Sequence, residues 1–106
     1  MALIYIASPY SKGDVCENVR YACLSGDAIV AKGHQVFIPH LYHLWNIISP
    51  KPYEEWLRIS RVWMSYCDAL LKLGGESVGA DLEVAEAKRL CMPIYYSLED
   101  VPDLTK

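Results

Sequence analysis

One glutamate in the second half of the chain is the residue best placed to do chemistry. Residues 79–90 predict a helix, and at about 100° per residue Glu83 falls within the apolar arc of that helix. An ionised carboxylate among apolar side chains is unfavourable unless something stabilises it, and the first turn of a helix offers unpaired N–H groups. A carboxylate held in this way can act as a nucleophile. The alternative is an ordinary helix-start acid in a local hydrogen bond.

Glycine and serine are concentrated just before this helix, at Gly74, Gly75, Ser77 and Gly79. Such a segment leaves backbone N–H groups and a hydroxyl free to hold an anion, for example a 5'-phosphate, at the start of a helix. The alternative is a plain connection, which is the commonest use of a glycine-rich turn.

The elements that must position these residues alternate between strand and helix. Residues 2–7 are apolar throughout, as in a strand buried on both faces, and Asp14 and Glu17 have the spacing of a capping box. Tyr5 in the middle of the first strand and Asp68 at the start of the third are, on their own, ordinary core and turn residues. The pattern predicts strands over residues 2–7, 34–38, 68–73 and 93–97, and helices over residues 15–32, 52–66 and 79–90.

This order predicts an α/β fold, a three-layer α/β/α sandwich around a mostly parallel sheet of four to five strands, flavodoxin- or Rossmann-like. The length of 106 residues fits a single domain over residues 1–106. Ligands of such sheets collect beyond the carboxyl ends of the strands. We therefore expect the segment over residues 39–52, rich in proline and aromatic residues, to be an irregular loop that forms a pocket wall. The tail after Leu98 is expected to be loose or to reach over a neighbouring subunit.

Three segments of the chain resemble the nucleoside 2-deoxyribosyltransferase superfamily, which includes the 2'-deoxynucleoside 5'-phosphate N-hydrolases and small phage or bacterial relatives. They are I-Y-I-A-S-P near the N-terminus, C-D-A-L-L in the middle and S-V-G-A-D-L-E-V-A-E-A later. The similarity spans nearly the whole chain. Its most specific element is the S-x-G-x-x-x-E spacing of Ser77, Gly79 and Glu83.

The resemblance implies that Glu83 attacks the anomeric carbon, that Tyr5 orients or tunes it, and that Asp68 assists near the sugar and the base. It also implies that Ser77 and Gly79 contact a 5'-phosphate. Where the hydrolases carry an arginine after the first strand, this chain has Ser11, with Lys12 next to it as a less pre-organised phosphate partner. The chemistry requires no cofactor and no metal.

A nucleobase needs an apolar slot on which to stack, and the segments after the first two strands supply aromatic candidates. For each of these residues the alternative is ordinary core or interface packing. The spacing of His40 and His43 does not favour a zinc pair. The candidate substrate-binding residues are Ser8, Tyr10, Ser11, Lys12, His40, His43, Trp45, Ser77 and Gly79, with Tyr42 as a further wall of the base slot.

Charge and composition exclude several classes of partner. With 10 Lys and Arg against 13 Asp and Glu, the net charge is −3 and no basic stripe is present, so a nucleic-acid polymer is not expected to bind. The N-terminus lacks the basic region of a signal peptide, and no membrane span is apparent, so we expect a cytoplasmic protein. The four cysteines show no metal-binding or dithiol spacing and are expected to be reduced core residues. Because a chain of this size encloses its apolar surface incompletely, a homodimer or higher homo-oligomer is expected.

Three functions fit these observations. The first is cleavage of the N-glycosidic bond of a nucleoside 5'-monophosphate by a glutamate nucleophile, with water accepting the sugar. The second is a transferase that passes the same glycosyl intermediate to another base. The third is a nucleotide sensor without catalysis, since the fold does not fix the function.

Overall fold

The computed structural model describes residues 1–106 as one sheet with helices on both faces. Two 3-10 turns, Pro39–Tyr42 and Leu98–Asp100, accompany the regular elements. Strands β1 to β4 span Leu3–Ala7, Gln35–Phe37, Ala69–Lys72 and Ile94–Tyr95. Helices α1 to α4 span Val15–Ala31, His43–Ile48, Tyr53–Met64 and Val78–Arg89.

All neighbouring strands of the sheet are parallel, in the order β2-β1-β3-β4. Tyr5 of β1 pairs with Phe37 of β2 on one side and with Leu70 of β3 on the other. The predicted α/β class and four-stranded parallel sheet are therefore confirmed. The three strands β1, β2 and β3 direct their carboxyl ends to the same edge, and the segments that follow them meet there.

The side chains of β1 are buried on both faces of the sheet, as its continuous apolar sequence predicted. Successive residues face opposite sides, and each side has its own cluster of buried residues. The cluster between the sheet and α1 contains Ile4, Ile29, Ala69, Leu71, Leu73 and Val101. The cluster that faces α3 and α4 contains Tyr5, Ala7, Met64, Leu70 and Ala87. Tyr5 is thus on the side of the sheet that carries Glu83.

The segment over residues 39–52 is not the irregular loop that was predicted, since it forms a 3-10 turn and the six-residue helix α2. A helix this short is unstable by itself and needs tertiary contacts. Tyr42 stacks on Trp56 of α3 with ring centroids 5.5 Å apart, and Trp56 Nε1 donates to Asn46 Oδ1 at 2.7 Å. These contacts hold α2 against α3.

The tail after Leu98 packs on its own chain, contrary to the expectation that it is loose or covers a neighbour. Val101 is 1% exposed, and the Leu104 N–H donates to the Lys32 carbonyl at 2.8 Å.

The expectation of four core cysteines was wrong as well, because Cys16 and Cys91 are exposed. No helix combines the length and the apolar character that a membrane crossing requires.

Candidate functional site

A cavity of about 490 Å³ opens at the carboxyl edge of the sheet. Its wall includes Ser8, directly after β1, Pro39, after β2, and Ser77, after β3, and it is completed by α3 and by the first turns of α4. The three segments that the sequence placed at this edge therefore do meet. The predicted residues that line the cavity are Ser8, Tyr10, Ser11, Lys12, His40, Tyr42, His43, Ser77, Gly79 and Glu83.

Glu83 lies at the cavity wall and is bonded to Tyr5, which is 78 positions away in the sequence. The Tyr5 hydroxyl donates to Glu83 Oε2 in a short buried hydrogen bond. Tyr5 is fully buried and Glu83 is 9% exposed. Because α4 begins at Val78, Glu83 is in the second turn, and not in the first turn as predicted. Its hydrogen-bond donor is therefore the strand tyrosine, and the alternative of a purely local helix-start bond does not describe it.

Burial sets the ionisation of this pair. Loss of water around Glu83 raises the pKa of its carboxyl to about 7, and the hydrogen bond from Tyr5 partly opposes that rise. Burial likewise raises the pKa of Tyr5 well above its usual value, and the negative charge of Glu83 adds to the effect. Tyr5 consequently remains a hydrogen-bond donor while Glu83 titrates near neutral pH.

Ser60 of α3 is a site residue that the sequence reasoning missed. It is 7% exposed, it lines the cavity, and its side chain acts on the Tyr5 phenol to lower the pKa that burial raises. Ser60 occupies the inward face of α3 together with Leu57 and Met64. A small polar residue on an otherwise apolar helical stripe is the signal that could have identified it.

One end of the cavity is suited to an anion. Ser77 is the N-cap of α4, where its hydroxyl oxygen accepts from the Ala80 N–H at 3.1 Å. The Lys12 ammonium donates to the Glu76 carbonyl at 2.9 Å and so lies beside this helix start. At Gly79 an added Cβ would lie 2.8 Å from the Tyr53 hydroxyl, so the glycine permits Tyr53 to approach the backbone closely. Lys12, Ser77 and Gly79 are brought together here, whereas Gly74 and Gly75 do not line the cavity.

The other end of the cavity is aromatic. Tyr10, Tyr42 and Trp56 line it, and the Tyr10 hydroxyl lies 2.5 Å from Nδ1 of His43. Trp45, which was predicted to bind the base, does not line the cavity. It is 45% exposed and packs behind the wall on Tyr42 and Trp56, with ring centroids 5.6 and 5.0 Å away. Helix α2 turns Trp45 outward, and Trp56 of α3 takes its place.

His40 and Ser8 stabilise the loop after β1. Nε2 of His40 lies 3.1 Å from the Ser8 carbonyl and 3.2 Å from the Pro9 carbonyl. Carbonyl oxygens only accept hydrogen bonds, so this nitrogen carries a proton. Burial lowers the pKa of His40, and its other nitrogen, Nδ1, is buried without a hydrogen-bond partner. His40 is therefore neutral and holds the loop that leads from Ser8 to Tyr10.

Asp68 is not part of this site. It lies at the amino end of β3, on the opposite edge of the sheet, where its Oδ2 accepts from the Leu3 N–H at 2.8 Å. The Asp68 N–H in turn donates to the Leu3 carbonyl at 2.8 Å. The placement of Asp68 near the sugar and the base was wrong, because the start and the end of a parallel strand lie at different edges of the sheet. Among the residues that line the cavity, Glu83 is the only carboxylic acid.

Comparison with solved structures supports the fold. A 2-deoxyribosyltransferase from the psychrotolerant bacterium Bacillus psychrosaccharolyticus superposes on this chain with a TM-score of 0.65 at 20% sequence identity. The alignment covers 88% of this chain and 69% of that enzyme. At this level of identity the likeness establishes a shared architecture.

Sequence comparisons assign the chain to a family. No curated protein sequence matches it. One family model does match, and it covers residues 2–97, from the start of β1 through β4 and therefore all the segments that form the cavity. The chain belongs to the family described as domain of unknown function DUF7768.

Proposed function

We propose that this chain is an enzyme that cleaves the N-glycosidic bond of a (deoxy)nucleoside 5'-monophosphate, with Glu83 as the nucleophile. The products are a free base and a sugar phosphate. The observation that carries the proposal is the buried Tyr5–Glu83 pair at the wall of the cavity. The cavity volume of about 490 Å³ is in the range of small-molecule sites.

The ionisation of Glu83 suits a nucleophile for this reaction. As the glycosidic bond breaks, positive charge develops on the sugar, and a carboxylate beside it stabilises that charge. A Glu83 oxygen then forms a bond to the anomeric carbon while the bonding electrons leave with the base. Water subsequently attacks the same carbon and releases the carboxylate. Because the pKa of Glu83 is about 7, we expect the rate to rise with pH up to neutrality.

The two ends of the cavity fit the two ends of a nucleotide. Ser11, Lys12 and Ser77 lie where a 5'-phosphate can meet the start of α4. Tyr42 and Trp56 form a stacked aromatic wall at the other end, where a base can pack. Glu83 belongs to the same cavity, so the anomeric carbon of a bound nucleotide would be within its reach.

A deoxyribosyltransferase that passes the sugar to a second base is the second candidate. It is favoured by the structural similarity to the Bacillus psychrosaccharolyticus protein, which is named a 2-deoxyribosyltransferase. Both reactions use the same glycosyl intermediate and differ in whether water or a base accepts the sugar.

A panel of nucleosides and 5'-monophosphates, with ribose and with deoxyribose, tests the proposal by chromatographic detection of free base. Each substrate is incubated alone and with a second, foreign base. Release of base without exchange supports the hydrolase, whereas a new nucleoside containing the foreign base supports the transferase. If no substrate loses its base while a monophosphate still binds by calorimetry, the enzyme proposal is wrong and a sensor is the better description.

We also propose that the protein is a homodimer or a higher homo-oligomer. The outer face of α2 and the turn before it expose Leu41, Leu44, Ile47 and Ile48 by 60 to 74%, and contiguous apolar surface of this kind marks interaction sites. Sedimentation velocity of the wild type and of Ile48→Glu tests this, with Leu24→Glu on the outside of α1 as the control. We expect Ile48→Glu alone to reduce the sedimentation coefficient. A wild-type protein that sediments as a monomer would refute the proposal.

A further inference from the structure

Departure of a nucleobase requires a proton, and the cavity has no second carboxylic acid to supply it. Glu83 itself is committed to the sugar in the proposed function. Asp68, the other acid that the sequence suggested, lies at the opposite edge of the sheet. The proton must therefore come from another titratable side chain of the cavity wall or from water. The wall contains Tyr10, Lys12, His40, Tyr42, His43 and Tyr53.

Most of these groups are already engaged or hold their proton too tightly. The Lys12 ammonium donates to the Glu76 carbonyl at the anion end of the cavity. The proton of His40 Nε2 is held between the Ser8 and Pro9 carbonyls. Burial raises the pKa values of Tyr10, Tyr42 and Tyr53, so these phenols are poor acids. His43 remains, and it lies at the aromatic end where a base would stack.

A hydrogen bond with Tyr10 fixes the His43 ring. The Asn46 side chain acts on the Tyr10 hydroxyl to lower the pKa that burial raises. Asn46 Oδ1 is itself held in place, because it accepts from Trp56 Nε1 at 2.7 Å and from the Lys51 N–H at 3.3 Å. The Tyr10 hydroxyl lies 2.5 Å from Nδ1 of His43. A hydroxyl can donate to a neutral imidazole and accept from a protonated one, so Tyr10 contacts Nδ1 in both states. Nε2 is thus the nitrogen that is free to exchange a proton with a ligand.

We propose that His43, positioned by Tyr10, is the acid that protonates the departing base. This inference depends on the proposed glycosidase function. In the first step the protonated His43 gives its Nε2 proton to the base as the electrons of the glycosidic bond leave with the base and Glu83 bonds to the sugar. In the second step Nε2 takes a proton from the water that attacks the anomeric carbon. The imidazolium is restored, and Glu83 is released as a carboxylate.

The test compares two substrates that differ in their need for an acid. The first is the nucleotide that the panel identifies as the best substrate. For a purine, the second is its N7-methylated form, whose base already carries a positive charge and leaves as a neutral molecule without protonation. For a pyrimidine, the second is the 5-fluorinated form, whose base departs more readily as an anion. Release of base is measured for the wild type and for His43→Gln, with the spontaneous rate subtracted.

We expect His43→Gln to lower base release from the unmodified nucleotide by about a hundredfold, the usual lower bound for loss of an acid catalyst. Release from the modified nucleotide should fall much less. A misfolded variant or a lost contact to the base would lower both rates alike, and that result would overturn the proposal. An unchanged rate on both substrates would also overturn it. If the panel identifies no substrate for the wild type, the glycosidase function itself fails.

Tyr10→Phe tests the positioning role without removing the ring of His43. The protonated ring would lose the oxygen that accepts from Nδ1, so the alkaline limb of the kcat/KM profile should move to lower pH. Tyr96→Phe, an exposed tyrosine outside the cavity wall, is the matched control. If the alkaline limb does not move in Tyr10→Phe, Tyr10 does not position His43 for the proton transfer, and that part of the proposal is wrong.

Discussion

The two edges of the sheet each carry a carboxylic acid that the sequence made a catalytic candidate, and the structure treats them in opposite ways. At the carboxyl edge, Glu83 is 9% exposed and bonded to the buried Tyr5 beside a cavity. At the amino edge, Asp68 is exposed and accepts a backbone N–H of β1. A carboxylate becomes reactive through its surroundings, and in a parallel sheet those surroundings depend on which end of the strand the residue occupies.

The difference has an energetic side. Placing Glu83 in a dry environment destabilises its charged form and raises its pKa to about 7. Burial of the charged Glu83 side chain therefore lowers the stability of the fold. The Asp68 carboxylate, by contrast, accepts a hydrogen bond that links β3 to β1. The position of Glu83 favours the proposed reaction but reduces folding stability, whereas Asp68 stabilises the fold.

The contrast between the two acids is tested most directly by neutralising each of them in turn. Glu83→Gln keeps the size of the side chain but removes the nucleophile, and we expect the rate of base release to fall by about a thousandfold or more. Asp68→Asn is the matched substitution at the other edge and should change the rate by less than about threefold. Both rates are measured by chromatography on the best substrate of the panel. If Asp68→Asn were as damaging as Glu83→Gln, the assignment of the two edges would be wrong.

The second expected effect is on stability. The folded pKa of Glu83 lies above the ordinary value of 4.5, so the folded protein binds the proton more tightly than the unfolded chain does. The contribution of Glu83 to stability is then fully present below about pH 4.5 and declines as the pH rises to about 7. A shift of this size corresponds to about 3 kcal/mol.

Urea titrations at about pH 4 and about pH 8, analysed as in other small domains, measure this effect. The quantity to follow is the unfolding free energy of the wild type minus that of Glu83→Gln, because the subtraction removes the contribution of all other titratable groups. We expect this difference to decrease with rising pH. A constant difference would mean that Glu83 titrates in the folded protein as it does in water.

The smallest expected effect comes from Tyr5→Phe, which preserves the packing of the ring on Phe37, with centroids 5.5 Å apart. The hydrogen bond from Tyr5 lowers the pKa of Glu83, so its loss should raise that pKa further. We expect the acid limb of the kcat/KM profile to move to higher pH and the rate at neutral pH to fall about tenfold or more, as for a lost hydrogen bond to a charged group. Recovery of the rate at higher pH distinguishes this role from general damage. An equal loss at every pH would contradict it.

Local signals in the sequence were reliable where one element decides the outcome. The continuous apolar run of β1 identified a strand buried on both faces, and Asp14 is indeed the N-cap of α1, where it accepts from the Glu17 N–H. The inward position of Glu83 followed from helical spacing alone. By contrast, local signals predict a loop where α2 forms, because its six residues are stabilised by contacts with Trp56 of α3, such as that of Trp45, and not by their own propensity.

The chain by itself determined the order of the strands and of every helix except α2, the parallel sheet and the edge at which ligands collect, since these follow from periodicity and from the handedness of crossovers. Only the tertiary structure decided which side chains meet there. It paired Glu83 with Tyr5, brought Ser60 to that pair, turned Trp45 away from the cavity and left Asp68 at the other edge. Distances between residues far apart in sequence depend on how the layers pack. The spacing of residues along the chain does not determine that packing.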